Sequence, residues 1–119
     1  MIQKNSTLRP ADSCGVFKVR VFHVYKGSKG QLAQVGDFLK VSVRVTRPEN
    51  TIKKKAKIVS ILIRTRYKNK RIDGSTISFK RNRLVLLKRR LTTRGKSLRG
   101  PVSRNIRRKK FLSSFSKTI

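Results

Sequence analysis

Apolar and polar residues alternate along most of the first 88 positions, a period of two that is typical of β-strands. The alternation is clearest where Leu39, Val41 and Val43 are separated by polar side chains. Five segments carry such a pattern and predict strands at residues 16–21, 39–45, 58–67, 77–79 and 84–87. Short strands at this spacing favour a closed barrel of five or six strands over an open sheet.

The segment 58–67 is apolar on both faces, so it predicts a strand that is buried on both sides. Glycine-containing turns separate the strands at residues 27–30, 36–37 and 73–74, and residues 48–50 end another strand. Three phenylalanines fall within the strand patterns and are predicted to belong to the core: Phe17, Phe38 and Phe79. The fold class is therefore mainly β.

The strand pattern ends after Lys88. Residues 89–100 contain few apolar side chains and predict a long basic loop, after which Gly100 and Pro101 are typical of a helix start. Four apolar residues then line one side of one or two short predicted helices: Ile106, Phe111, Leu112 and Phe115. We expect one domain over 1–119, with the barrel in 1–88 and the loop with a short C-terminal helical lobe in 89–119.

Charge changes this picture from a generic small barrel to a polyanion-binding one. The 119 residues include 33 Lys and Arg but only 4 Asp and Glu, which gives a net charge of +29. Residues 1–50 carry a net +6 and residues 51–119 a net +23. Such a chain repels itself unless an anion neutralises it, and phosphate does so with release of condensed counterions. The composition therefore favours nucleic acid as the partner.

Catalytic and metal-binding chemistry finds little support in the sequence. The four acids are at least 12 positions apart, so no carboxylate pair is built locally. A single histidine, His23, and a single cysteine, Cys14, exclude a zinc site of the usual Cys/His spacing, and we expect no cofactor. Apolar runs are too short for a membrane helix, and the first ten residues resemble neither a secretory signal nor a mitochondrial presequence.

Basic residues of the later loops are the candidate RNA contacts. Each cluster has a simpler interpretation: a solvated loop at 53–57, a soluble strand edge at Arg64 and Arg66, and a membrane-surface helix near Arg107. We favour RNA because the same sign recurs in every later loop. The predicted rRNA-binding residues are Lys53, Lys54, Lys55, Lys57, Arg64, Arg66, Lys68, Lys70, Arg71, Arg81, Arg94, Lys96, Arg99, Arg104, Arg107 and Arg108. Tyr25 and Tyr67, at strand ends, fit base stacking and closure of the barrel rim equally well.

One ordered set of residues resembles a known signature. Ser60-Ile61-Leu62-Ile63 is followed after nine residues by Asp73-Gly74, and then by Phe79, Asn82 and Val85-Leu86 at short intervals. This pattern is similar to that of the universal large-subunit ribosomal protein fourteen family, over nearly the whole chain. The sequence departs from the family where Lys80-Arg81 replaces an acidic or neutral pair and where Arg83 replaces a small residue.

The resemblance implies a five-stranded barrel that binds large-subunit rRNA on the face toward the small subunit. It also implies as neighbours ribosomal proteins three and nineteen, small-subunit rRNA across an intersubunit bridge, and a ribosome-silencing factor. The replaced acids favour a mitochondrial ribosome, the alternative being a bacterial-type cytoplasmic one. Two other functions remain to be weighed: a stand-alone RNA-binding barrel or RNA chaperone, and a nuclease that uses His23.

Overall fold

The computed structural model describes residues 2–11, 15–25, 32–48, 52, 54–88, 98–103, 106 and 115–118. These residues form strands and no helix. The strands are β1 (Thr7–Pro10), β2 (Val16–Val24), β3 (Phe38–Thr46), β4 (Lys57–Arg64), β5 (Asn69–Lys70), β6 (Thr76–Ile77), β7 (Arg83–Leu86), β8 (Leu98–Val102) and β9 (Phe115–Thr118). Among the residues described, no helix is long and apolar enough to cross a bilayer.

Five strands close into a barrel in the order β1, β2, β3, β4, β7. Neighbours are antiparallel except at the closure, where β7 pairs with β1 in parallel and Arg9 lies opposite Arg83. A β5–β6 hairpin projects from the connection between β4 and β7, and β8 pairs in parallel with β9. The predicted five-stranded, mainly β barrel is confirmed, but the strand predicted at 77–79 lies only in part in β6, outside the barrel, and β1 is the fifth barrel strand.

The barrel interior is filled by aliphatic side chains from every barrel strand. Val19, Val41, Leu62 and Leu84 are fully buried there, and the segment before β1 adds Ile2, which pairs with Ala33. Because successive residues of a strand face opposite sides, the same strands present a second apolar surface outward. The interior cluster therefore accounts for only one face of β4 and β7.

The outer face of β4 and β7 forms a second core. Ile61, Ile63 and Val85 pack there with Val102 and Ile106 from the C-terminal part of the chain. This confirms that the segment containing Leu62 is buried on both faces. Burial of Val102 on the barrel wall also fixes the position of β8.

The prediction that a helix starts at Gly100 and Pro101 is wrong, because both residues lie in strand β8. The Arg99 N–H donates to the Ala11 carbonyl at 2.9 Å, so pairing with the barrel favours extended backbone here over a local helix signal. Phe115, expected on a helix, lies in β9. The remaining predicted helical positions lie outside the described residues, Ile106 excepted, as do residues 89–97 of the predicted loop.

Phe17 was predicted to lie in the core and is instead 45% exposed. The register between β2 and β3 shifts on both sides of Lys18, which is the signature of a β-bulge. The extra residue reverses the facing of the chain, so Val16 is buried and Phe17 points outward. Phe38 and Phe79 were also predicted to belong to the core, and both are partly rather than fully buried.

Two further strands differ from the prediction based on alternation: one was missed, and one ends earlier than predicted. β1 was not predicted, because Leu8 is the one buried side chain among its four residues. β4 ends at Arg64, three residues before the predicted end, and the Thr65 hydroxyl then donates to the Tyr67 carbonyl at 3.1 Å. The predicted turn at 73–74 is confirmed, with Gly74 at a φ of 89°.

Candidate nucleic-acid interface

Five described arginines line one open cavity of about 600 Å³ at the β1–β7 closure. We call this cavity the arginine pocket, and its arginines are Arg9, Arg47, Arg64, Arg83 and Arg99. They come from β1, the residue after β3, the last residue of β4, the first of β7, and β8. None of the described residues lining the pocket is acidic.

Strand register explains why these arginines converge. Arg83 lies opposite Arg9 across the parallel β1–β7 pair and opposite Arg64 across the antiparallel β4–β7 pair. A register shift between Leu62 and Arg64 separates the buried part of β4 from its charged end. Three arginines from three different strands are therefore neighbours at this end of the barrel.

Arg64 lies in an electrostatically unfavourable environment. Its guanidinium is half-buried, and burial together with the positive charge of Arg83 lowers the pKa of Arg64. Its Nη2 donates to the Arg99 carbonyl oxygen, whereas its buried Nε has no hydrogen-bond partner among the described residues. The pKa of Arg83 is also lowered, first by burial and then by the charges of Arg81 and Arg9. An anion would relieve this repulsion.

A second cavity, of about 360 Å³, adjoins the first and shares Arg9 and Arg83 with it. We call it the basic groove, and its other charged residues are Lys18, Arg66, Lys80 and Arg81. The Arg66 N–H donates to the Asn82 side-chain oxygen at 2.8 Å, which holds the chain after β4 against the start of β7. None of the described residues lining this groove is acidic either.

The β5–β6 hairpin borders a third cavity, of about 510 Å³, lined in part by Tyr67, Lys68 and Lys70. Tyr67 is 57% exposed, so it does not close the barrel rim. Asn69 donates from Nδ2 to the Thr65 hydroxyl at 2.9 Å and fixes the base of the hairpin. An exposed ring beside basic residues is the arrangement that stacks nucleobases in single-stranded regions.

The described lining of the arginine pocket and the basic groove contains no acidic residue, and the comparisons to known proteins agree with such a basic surface. Groups of three or more potential metal-ligating side chains are absent from the part of the chain that the structure describes. The family model of ribosomal protein L14p/L23e matches residues 1–118. The chain belongs to the ribosomal protein L14p/L23e family.

A curated relative supports the same assignment. The large ribosomal subunit protein uL14m of Tetrahymena pyriformis is 51% identical over 119 residues, which is 100% of both chains. This ribosomal protein is therefore a structural constituent of the large subunit and not an enzyme. As such it has ribosomal RNA and ribosomal proteins as its partners.

The structure divides the predicted contacts of this L14p/L23e member among several places. Arg64 and Arg99 lie in the arginine pocket, Arg66 and Arg81 in the basic groove, and Lys68 and Lys70 at the hairpin cavity. Arg64 and Arg66 were predicted to share a strand face, but β4 ends at Arg64 and the two line different cavities. The remaining described candidates lie elsewhere: Lys54, Lys55 and Lys57 are exposed near the start of β4, and Arg71 lies in the hairpin turn. Lys53, Arg94, Lys96, Arg104, Arg107 and Arg108 lie outside the described residues.

Five basic residues of the two cavities were missing from the predicted set: Arg9, Lys18, Arg47, Lys80 and Arg83. Arg9 was missed together with its strand. Lys80 and Arg83 had a signal in the sequence, because both depart from the family pattern by gaining positive charge. Arg47 lies with its guanidinium carbon 5.7 Å from the centre of the Phe17 ring, a pairing that only the bulge in β2 creates.

Proposed function

We propose that this ribosomal protein binds large-subunit rRNA through the arginine pocket and the basic groove, in a mitochondrial ribosome. One observation carries the proposal: two adjoining cavities are lined by five and six basic residues, two of them shared, and by no acidic residue among those described. The mitochondrial location follows the relative uL14m, whose suffix denotes the mitochondrial form. It also agrees with the gain of positive charge at Lys80, Arg81 and Arg83.

The mechanism is electrostatic. Lysines and arginines neutralise phosphates that packed RNA helices bring close together, while the barrel holds these side chains at fixed positions. Most of these contacts position the protein on RNA and carry no base-sequence information. Tyr67 beside Lys68 and Lys70 adds a surface where an unpaired base would stack.

The other basic segments extend this surface in our proposal. Lys54, Lys55 and Lys57 are exposed near the start of β4, and Lys57 lies with Nζ 6.0 Å from the centre of the Phe22 ring. Residues 94–99 and 104–108 contribute further arginines in the sequence. The whole set extends the basic surface beyond the two cavities.

The position of the protein in the particle is also a proposal. Resemblance to the family supports a site on the face toward the small subunit, beside ribosomal proteins three and nineteen. It further supports contact with small-subunit rRNA in an intersubunit bridge, and a surface for a ribosome-silencing factor.

A density gradient of lysed mitochondria tests the function. We expect the protein to sediment with the large subunit in magnesium, and to move to the top of the gradient after magnesium removal and ribonuclease treatment. Undigested lysate with most of the protein at the top would refute the assignment and favour a stand-alone RNA-binding barrel.

A charge-reversal pair tests the binding surface itself. Arg66→Glu combined with Arg81→Glu should abolish incorporation, because two phosphate contacts of the basic groove become repulsive. Arg20→Glu combined with Arg44→Glu is the matched control, since both residues are exposed on barrel strands outside the two cavities. Equal incorporation of the two double variants would contradict the proposed surface.

A further inference from the structure

The arginine pocket differs from an ordinary basic surface because it is concave and two of its five charges, those of Arg64 and Arg83, are partly withdrawn from water. Five arginines line a cavity of about 600 Å³, and burial lowers the pKa values of Arg64 and Arg83. Desolvated like charges destabilise a fold unless an anion joins them. The chain therefore maintains at this point an arrangement that is unfavourable in the free protein.

The backbone around Arg64 is shaped to accommodate its guanidinium. Gly100 has a φ of 78°, and a Cβ at this position would lie 2.8 Å from Arg64 Nη2 and 2.9 Å from Nη1. A side chain at position 100 would thus displace the guanidinium, while glycine allows β8 to pass directly over it. The Nη2 bond to the Arg99 carbonyl orients the group further. Its buried Nε remains an unused donor among the described residues.

One wall of the pocket is aromatic. The bulge in β2 exposes Phe17, and the Arg47 guanidinium lies over its ring at 5.7 Å. Arginine and an exposed ring together offer a base or a ribose a stacking surface beside the phosphate-binding groups. An acidic peptide would use the guanidinium groups but not this wall, so the lining favours a nucleotide chain.

We propose that the arginine pocket receives one sharp turn of an RNA backbone and binds two or more of its phosphates. This inference rests on the proposed function and adds a discrete site to it. Arginine suits the task because its planar fork binds phosphate oxygens in pairs. Two or more phosphates are required because five positive charges surround a single cavity.

Arg83→Ala gives the proposal a distinctive signature, because its two effects have opposite signs. Removing Arg83 relieves repulsion on Arg64, so the free protein should become more stable. The same change should weaken phosphate binding about tenfold, the loss expected for one charge-assisted hydrogen bond. A residue with a purely structural role would not produce this combination.

The first experiment uses the purified full-length chain in potassium chloride at constant ionic strength. Thermal unfolding and calorimetric titration are measured with inorganic pyrophosphate, with a short oligouridylate and with a glutamate peptide of equal charge. We expect pyrophosphate and oligouridylate to raise the melting temperature, and Arg83→Ala to reduce both effects while raising the ligand-free melting temperature. Arg44→Ala, outside the pocket, should bind as wild type.

Each opposite result has a definite meaning. Equal losses in Arg83→Ala and Arg44→Ala would overturn the site in favour of general charge attraction. Tighter binding of the glutamate peptide than of oligouridylate would assign the pocket to an acidic protein segment. Binding of pyrophosphate without oligouridylate would assign it to a free phosphate compound.

A second experiment uses intact large subunits and does not require the free chain to fold. Arginines are modified with phenylglyoxal before and after ribonuclease digestion, and peptides are quantified by mass spectrometry. We expect Arg9 and Arg83 to react at least about fivefold more slowly in the intact subunit, with Arg44 as the internal reference. Unchanged reactivity of Arg9 and Arg83, in a protein that still sediments with the large subunit, would refute the pocket while leaving the proposed function intact.

Discussion

Gly100→Ala tests whether Arg64 is held as tightly as the pocket geometry indicates. The left-handed φ of 78° costs an alanine about 1–2 kcal/mol. The new Cβ would also lie 2.8 Å from Arg64 Nη2, which forces the guanidinium away from the Arg99 carbonyl. Loss of that bond adds only about 0.5–1 kcal/mol, because Arg64 is half-buried and its guanidinium is the flexible end of the side chain. We expect a total destabilisation of about 1.5–3 kcal/mol.

Gly74→Ala is the matched control for this substitution. Gly74 has a similar φ of 89°, but a Cβ there would meet no atom within 4 Å. Backbone strain is thus common to both variants, and the contact with Arg64 is present in only one.

The measurement is urea and thermal unfolding of both full-length variants beside the wild type. Gly100→Ala should melt lower than Gly74→Ala by roughly 2–5 °C, the shift that about 0.5–1 kcal/mol produces in a domain of this size. Equal melting temperatures would refute the reasoning, since Arg64 would then be free to move aside at no cost.

Three further predictions concern the core, the hairpin and the bulge. Leu62→Ala should lower the free energy of unfolding by about 2–5 kcal/mol in urea titrations, because the fully buried side chain leaves a cavity inside the barrel. The Ser75 hydroxyl and N–H donate to the Asp73 carboxylate and hold its pKa below the ordinary value for an aspartate, so Ser75→Ala should raise that pKa in an NMR titration of the carboxyl carbon. Because the pKa is lowered in the folded state, this contribution to hairpin stability is present above the unfolded pKa and is lost as pH falls through the folded pKa. An unchanged pKa would show that the hydroxyl bond is absent in solution. Phe17→Ala should cost about 1 kcal/mol or less in urea, since the ring is 45% exposed, and a loss as large as that of Leu62→Ala would place Phe17 in the core.

The alternation of apolar and polar residues predicted strand positions well where a strand has a regular pattern of its own. It located β3 and β7 almost completely, and it identified β4 as buried on both faces, as Ile61 and Leu62 show from opposite sides. It was wrong for Phe17, because a bulge shifts facing by one residue without leaving a mark in the composition. It missed β1, whose pairing with β2 and β7 is long-range and whose sequence contains a single buried residue.

The sequence predicted the basic character of the candidate interface but not which residues lie together in it. Charge distribution indicated phosphate binding, and four of the predicted residues line two adjoining cavities in the structure: Arg64, Arg66, Arg81 and Arg99. Their grouping depends on register across the barrel closure, which brings Arg83 beside Arg64 from a distance of 19 positions. No local pattern encodes such a neighbour.

The sequence by itself determined that this protein is a mainly β, strongly basic chain suited to phosphate, and its residue order was enough to indicate the ribosomal family. Both properties depend only on local composition and residue spacing, so they can be predicted without knowledge of the tertiary contacts. Only the tertiary structure decided which arginines converge, that Gly100 passes over Arg64, and that Phe17 faces outward. These features arise where strands far apart in sequence meet at the barrel closure, and their energies depend on burial and distance, which are properties of the folded chain alone.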